Sequence, residues 1–209
     1  MTDVVTSEKR APGRPRSEAT QQAILDAAVQ LLQDVDYRDI SIDRIAATAK
    51  VGKQSIYRWW PSKAELLLEA YTAHALSRLP PLVPSPDAFA DLEHDLARYF
   101  AFMRNALVVK GVRSLIAEAQ FDDAFREKLY ASVLRVRCDA LRRVFRHGIA
   151  LGQMRDDLDF EAVAHVIHGA LWYRMLSGTT YAYDDDYAAK LVALLRPGMA
   201  RVAAPAATV

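Results

Sequence analysis

SIDRIAATAKVGKQSIYRWWPSK, residues Ser41 to Lys63, decides the fold of this chain. Ser41 is a good helix N-cap, and Ile42, Ile45, Ala46 and Ala49 form one apolar stripe behind it. Lys50-Val51-Gly52 breaks the periodicity, with Gly52 expected to supply the freedom that a tight turn between crossed helices needs. A second short helix is expected over Lys53 to Trp59, with Ile56 and Trp60 turned to the core and Lys53, Gln54, Ser55, Tyr57 and Arg58 left to face outward. Pro61 ends it, and Ser62-Lys63-Ala64-Glu65 is a capping box that opens the next helix. The segment is a helix-turn-helix.

Its exposed surface is locally basic. Between Arg38 and Lys63 stand Arg38, Arg44, Lys50, Lys53, Arg58 and Lys63 against Asp39 and Asp43. Small polar and basic side chains on a short exposed helix suit the base edges of a DNA major groove, and on that ground Lys53, Gln54 and Ser55 are the candidate base readers. Ser41, Tyr57 and Lys63 suit phosphate oxygens, with Arg44 and Arg58 as further candidates. A solvated helical hairpin would carry the same shape, so the shape alone does not separate the two readings.

The spaced residues Ile45-Ala46, Ala49-Lys50-Val51-Gly52, Ile56-Tyr57-Arg58, Trp60-Pro61-Ser62-Lys63 and Leu66-Leu67 do separate them. Together with Ile24-Leu25-Asp26-Ala27-Ala28 and Leu31-Leu32 upstream, they resemble the DNA-binding domain of the TetR family of bacterial transcriptional regulators. The resemblance spans residues 17 to 75. It departs from the commonest pattern at Trp59-Trp60, where Trp60 is expected in the core and Trp59 either packs or meets a phosphate.

The totals bound the remaining choices. With 27 basic and 26 acidic residues the formal charge is +1, so any nucleic-acid affinity has to be local. The single cysteine, Cys138, allows no internal disulfide, fits a cytoplasmic location, and falls at core-like spacing between Leu134, Leu141 and Phe145. No secretory signal or membrane-spanning run is expected. Neither a phosphate-cradling glycine loop nor a nucleophile elbow or metalloprotease helix is present, so the chain is not expected to be an enzyme or to need a cofactor.

Along the chain, an all-α protein of three parts is expected. Residues 1–16 form a basic arm without regular structure. Its Gly13-Arg14-Pro15-Arg16 is similar to minor-groove arms, which makes Arg14 and Arg16 further DNA-contact candidates. Residues 17–79 hold the helix-turn-helix domain. Four prolines between Pro80 and Pro86 mark a boundary or rigid connector. Residues 87–197 form a larger helical bundle for dimerisation and ligand binding. Its helices are expected over 87–105, 106–119 (broken or kinked near Gly111), 122–148, 160–177 and 185–195, the last stopped by Pro197-Gly198. The 122–148 helix carries two adjacent apolar stripes and belongs at the centre of the bundle, its arginines facing water.

The resemblance implies two jobs for this second part. The last two helices would pair with their copies in a homodimer on a palindromic double-stranded operator. Trp172, Tyr173, Met175, Leu176, Leu191, Leu194 and Leu195 offer the apolar surface, and Gly169 and Ala170 allow close approach. A small apolar or aromatic effector would release a repressor from its operator, with Tyr99, Phe102, Met103, Phe121, Trp172 and Tyr173 as pocket candidates. Two other readings compete. A nucleoid-type architectural protein would rely on the basic arm, and a metal-responsive regulator would use Glu161, His165 and His168, which share one helical face. A polar rim of the dimer interface is the commoner use of such a face.

Overall fold

A computed structural model of the chain describes residues 15–75, 79–178 and 186–201. The regular elements of the described residues are helices, with one isolated bridge. In order they form α1 (Pro15–Asp34), a 3-10 turn (Tyr37–Asp39), α2 (Ile42–Ala49), α3 (Lys53–Tyr57) and α4 (Lys63–Ala75). Then come α5 (Ala88–Met103), α6 (Ala106–Ala119), α7 (Asp123–Leu129), a π-turn (Tyr130–Leu134), α8 (Arg135–Ala150), α9 (Phe160–Leu176) and α10 (Tyr187–Met199). Helix α1 begins at Pro15, the first-turn position that tolerates proline, so the C-terminal end of the expected irregular arm is helical.

The first four helices close a small core around Ile24, Ile45, Ile56, Trp60, Leu66 and Leu67, all at most 2% exposed. The turn between α2 and α3 corrects the sequence reading. Gly52 has ordinary extended angles (φ −76°, ψ 146°), and the left-handed residue is Lys50 (φ 55°, ψ 43°). There the N–H of Val51 returns to the Ala46 carbonyl (2.9 Å) and that of Lys50 to the Ala47 carbonyl (3.2 Å). This pairing closes a helix C-terminus in the manner usually given to glycine. A side chain in this region carries a steric cost. Lys50→Gly should therefore raise stability by about 0.5–1 kcal/mol in urea unfolding, and a loss of stability would contradict the strain.

Helices α6 and α7 hold this head. The Lys110 ammonium donates to the Val35 carbonyl (2.7 Å) and pairs with Asp36 (2.8 Å), while Lys128 pairs with Glu65 on α4 (2.9 Å). Lys110 keeps the Asp36 carboxyl below its ordinary pKa. Gly111 does not break α6. A Cβ placed there would lie 3.4 Å from the Tyr71 ring, so it marks a close approach of α6 to α4.

The expected central helix is three pieces. Its buried residues are Phe125, Leu129, Val133, Arg137, Leu141, Val144, Phe145 and Gly148. Four-residue steps overshoot a straight α-helical turn by about 40° each. The π-turn at Tyr130–Leu134 takes up the drift, and the inward face downstream shifts by one position. Val136 is thereby 47% exposed, Cys138 only half-buried, and Arg137 enclosed instead of facing water. Partial burial pushes the Cys138 thiol up.

Arg137 meets Asp95 of α5 at 2.9 Å, and its guanidinium lies 4.0 Å above the Tyr99 ring. Pro197 does not stop α10, which runs on to the buried Met199. Its end is pinned by the Met154–Ala200 bridge, with Arg155 N–H on the Met199 carbonyl (3.0 Å) and Arg201 N–H on the Gln153 carbonyl (2.9 Å).

The six pocket candidates scatter. Tyr99 and Met103 are core residues of α5, and Phe102 stacks on Tyr99 with ring centroids 6.5 Å apart. Trp172 is half-buried. Phe121 sits 94% exposed in the turn after α6, at the rim of an open groove, and Tyr173 is 75% exposed on α9, so neither lines an interior pocket of the single chain. Met175 and Leu191 are also buried within the chain and unavailable to a partner. On the Glu161/His165/His168 face, Glu161 pairs with Arg142 (2.5 Å). His168 donates from Nδ1 to the Ala164 carbonyl (2.9 Å), and burial lowers its pKa.

Candidate nucleic-acid interface

The candidate DNA surface is built on a buried wedge. Ile56 is fully buried, and Trp60 is 2% exposed with its indole N–H donating to Glu69 (2.7 Å). The other oxygen of Glu69 accepts from Gln21 of α1 (3.1 Å), so one carboxylate ties together α1, α4 and the end of α3. Trp59 packs edge-on against Trp60 at 5.7 Å, and Arg58 lies over the Trp59 ring at 5.3 Å. Trp59 is therefore half-buried support for Arg58. Glu69 itself was not legible as part of the unit, since a glutamate on an amphipathic helix reads as solvent-facing.

With Ile56 inward, Lys53, Gln54, Tyr57 and Arg58 share the opposite, exposed face of α3. Tyr57 is 53% exposed. Ser55 is half-buried at the edge of this face, and its backbone N–H is taken by the Gly52 carbonyl (2.9 Å). Lys53 pairs with Asp43 of α2 at 2.5 Å, both side chains more than half exposed. Such a surface pair contributes at most about 1 kcal/mol, so it does not withhold the ammonium from another acceptor.

The flanking residues are set by capping. Ser41 Oγ accepts the Arg44 N–H (3.2 Å) and begins α2, and both residues are exposed. Ser62 Oγ accepts the Glu65 N–H (3.2 Å) at the start of α4. Lys63, half-buried, donates to the Tyr37 carbonyl (3.3 Å) with its ammonium 4.2 Å above the Tyr37 ring. It is a positioned cation on the flank of the reading helix. Arg14 lies outside the described residues, and Arg16 falls in the first turn of α1.

Comparison with known proteins matches both halves. The family described as "Bacterial regulatory proteins, tetR family" covers residues 24–70, and "Tetracyclin repressor-like, C-terminal domain" covers residues 85–195. A relative from Bacillus subtilis, the uncharacterized HTH-type transcriptional regulator YdeS, is 33% identical over 186 residues, 86% of this chain and 89% of its own. The DNA-binding transcriptional repressor TetR of Mycobacteroides abscessus is 28% identical over 191 residues, 88% and 97% of the two chains. Among solved structures, the TetR family transcription regulator SCO0332 aligns with a TM-score of 0.71 at 26% identity, covering 89% of this chain and 99% of that one. Bacillus subtilis FadR, solved in complex with stearoyl-CoA, shares the fold (TM-score 0.63, 18% identity, 84% and 96% covered). The helix-turn-helix on its tryptophan wedge and the helical domain behind it are one protein of known kind: the chain belongs to the TetR family of DNA-binding transcriptional regulators.

Proposed function

We propose that the protein is a homodimeric repressor that binds a palindromic operator through the exposed face of α3 and leaves it when a small molecule binds the second domain. The face of Lys53, Gln54, Tyr57 and Arg58, braced from behind by Ile56 and Trp60, carries this reading. Lys53, Gln54 and Ser55 are assigned to base edges, and Ser41, Tyr57 and Lys63 to phosphates, with Arg44, Arg58 and the arm residues Arg14 and Arg16 beside them. Selection from a random duplex pool at fixed salt should return a palindrome with half-sites about one helical turn apart. Enrichment of A·T-rich DNA without a palindrome would favour an architectural role instead. On the selected site, Gln54→Ala should cost about 1–3 kcal/mol and relax one position, whereas Tyr57→Phe should weaken all sequences alike. Identical, sequence-independent losses from both would overturn the division of roles.

The dimer is assigned to α9 and α10. Val166, Gly169, Tyr173 and Leu176 follow one another at three- and four-residue spacing on the exposed face of α9, and Leu194 of α10 is 75% exposed. Val166, Tyr173 and Leu176 are each more than half exposed in the single chain, a contiguous apolar stripe of the kind that marks an interface. Val166→Lys with Tyr173→Glu should give a folded monomer by light scattering and weaken operator binding. A dimer that survives both changes would place the interface elsewhere. No described helix is long and apolar enough to cross a membrane.

A further inference from the structure

The connector at 79–84, α5 and α8 line a partly open cavity of about 180 Å³. Its walls are apolar at Leu79, Leu82, Val136 and Val144 and cationic at Arg137 and Arg143. Arg137 is 5% exposed, its Nη2 is taken by Asp95, and its buried Nε–H has no acceptor among the described residues. A buried guanidinium donor left over in this way is a costly group, and the Arg137 side chain is part of the cavity wall. Arg143 stands exposed at the cavity wall, where a second cation can reach the same anion.

The other polar groups of the wall are already committed. Asp91 accepts the Ser85 N–H (2.9 Å), Arg98 donates to the Pro80 carbonyl (2.8 Å), and His147 donates from Nε2 to the Ser85 carbonyl (2.7 Å). Three arginines against two aspartates leave one positive charge, the complement of a monoanion. The apolar walls ask for an apolar body on that anion, and the volume, below the usual range for drug-sized ligands, limits it to about one ring or a short chain.

We propose that this cavity is a binding site for a small monocarboxylate with an apolar body, its carboxylate held by the guanidinium groups of Arg137 and Arg143. The site rests on the effector-released reading and deepens it by naming the effector class. Its location also gives it leverage. In the chain the connector lies between α4, which opens at Lys63, and α5, so an occupant touches the segment by which the reading head is joined to the second domain.

The test is calorimetric titration of the full-length protein with benzoate, phenylacetate and hexanoate against benzamide, phenylacetamide and hexanamide, with operator binding followed on the same samples. At least one carboxylate should bind once per chain, roughly tenfold or more tighter than its amide. Arg143→Gln, an exposed change, should weaken it roughly tenfold. Ala140 also lines the cavity, and Ala140→Phe, which fills it, should abolish binding while operator binding without ligand stays intact. Failure of all three carboxylates, equal binding of the amides, or wild-type affinity in both variants would overturn the site. Carboxylates that bind here without releasing the operator would support the site and refute release by this ligand. Release by a compound indifferent to Ala140→Phe would keep the repressor reading and overturn this site.

Discussion

Asp95→Ala should destabilise the second domain by about 3–5 kcal/mol, because it leaves the Arg137 guanidinium buried without its carboxylate partner. The two side chains are 9% and 7% exposed, and the pair joins α5 to α8. Coulomb attraction between them mainly offsets the cost of burying both, so the pair as a whole adds little, while half of it alone is strongly unfavourable. The Tyr99 ring 4.0 Å from the guanidinium gives partial compensation and cannot replace a carboxylate. Asp95→Asn, which keeps an acceptor, should fall between. Asp95→Leu with Arg137→Met should recover most of the loss, since an apolar pair of similar volume needs no partner. Urea unfolding of the three proteins checks the ordering. Equal losses from Asp95→Ala and the double variant would mean that the site suffers from lost packing and not from an orphaned charge.

That pair also marks where the sequence stopped being legible. The apolar stripe of α5 through Phe89, Leu92, Leu96, Tyr99, Phe100 and Met103 is buried as its spacing predicts. Asp91 and Asp95 share that face, and nothing in a helical period says that a carboxylate on it has found a donor 42 positions away. On the partner side the difficulty is geometric. A uniform 3.6-residue period puts Val136 inward and Arg137 outward, and one π-turn exchanges them. Pattern reading assumes one period per helix, and a bulge inside the helix leaves no residue type to announce it. The same holds for Lys50, whose left-handed backbone falls on a residue type that gives no warning, two positions before the glycine that seemed made for it. The head was legible for the opposite reason. Ser41, Pro61 and Ser62 act locally, through caps and a missing N–H, and local chemistry is what a sequence states outright.

The wedge behind α3 is where local legibility and DNA reading meet, and Trp60→Ala should cost about 3–5 kcal/mol and abolish operator binding. Trp60 is 2% exposed, and removing its ring leaves a cavity between α1, α3 and α4. The loss extends past packing. Glu69, held on one side by Gln21, is left without the indole N–H on the other. Trp59 loses the ring it packs against, and with it Arg58 loses its platform. Helix α3 spans only Lys53–Tyr57, too short to persist without such backing. A head of this size buries a modest core, so the expected cost is a large share of its stability. Trp60→Phe keeps much of the ring volume and gives up the N–H, and should cost about 1–2 kcal/mol with operator binding weakened but present. Hydrogen exchange reads the distinction directly. In Trp60→Ala the amides of Ile56 through Trp60 should exchange far faster than those of α5, while in Trp60→Phe both should stay protected. If α3 remains protected in Trp60→Ala and the operator is still bound, the reading helix is held by something other than the tryptophan wedge, and the assignment of Lys53, Gln54 and Tyr57 to a preformed face fails with it.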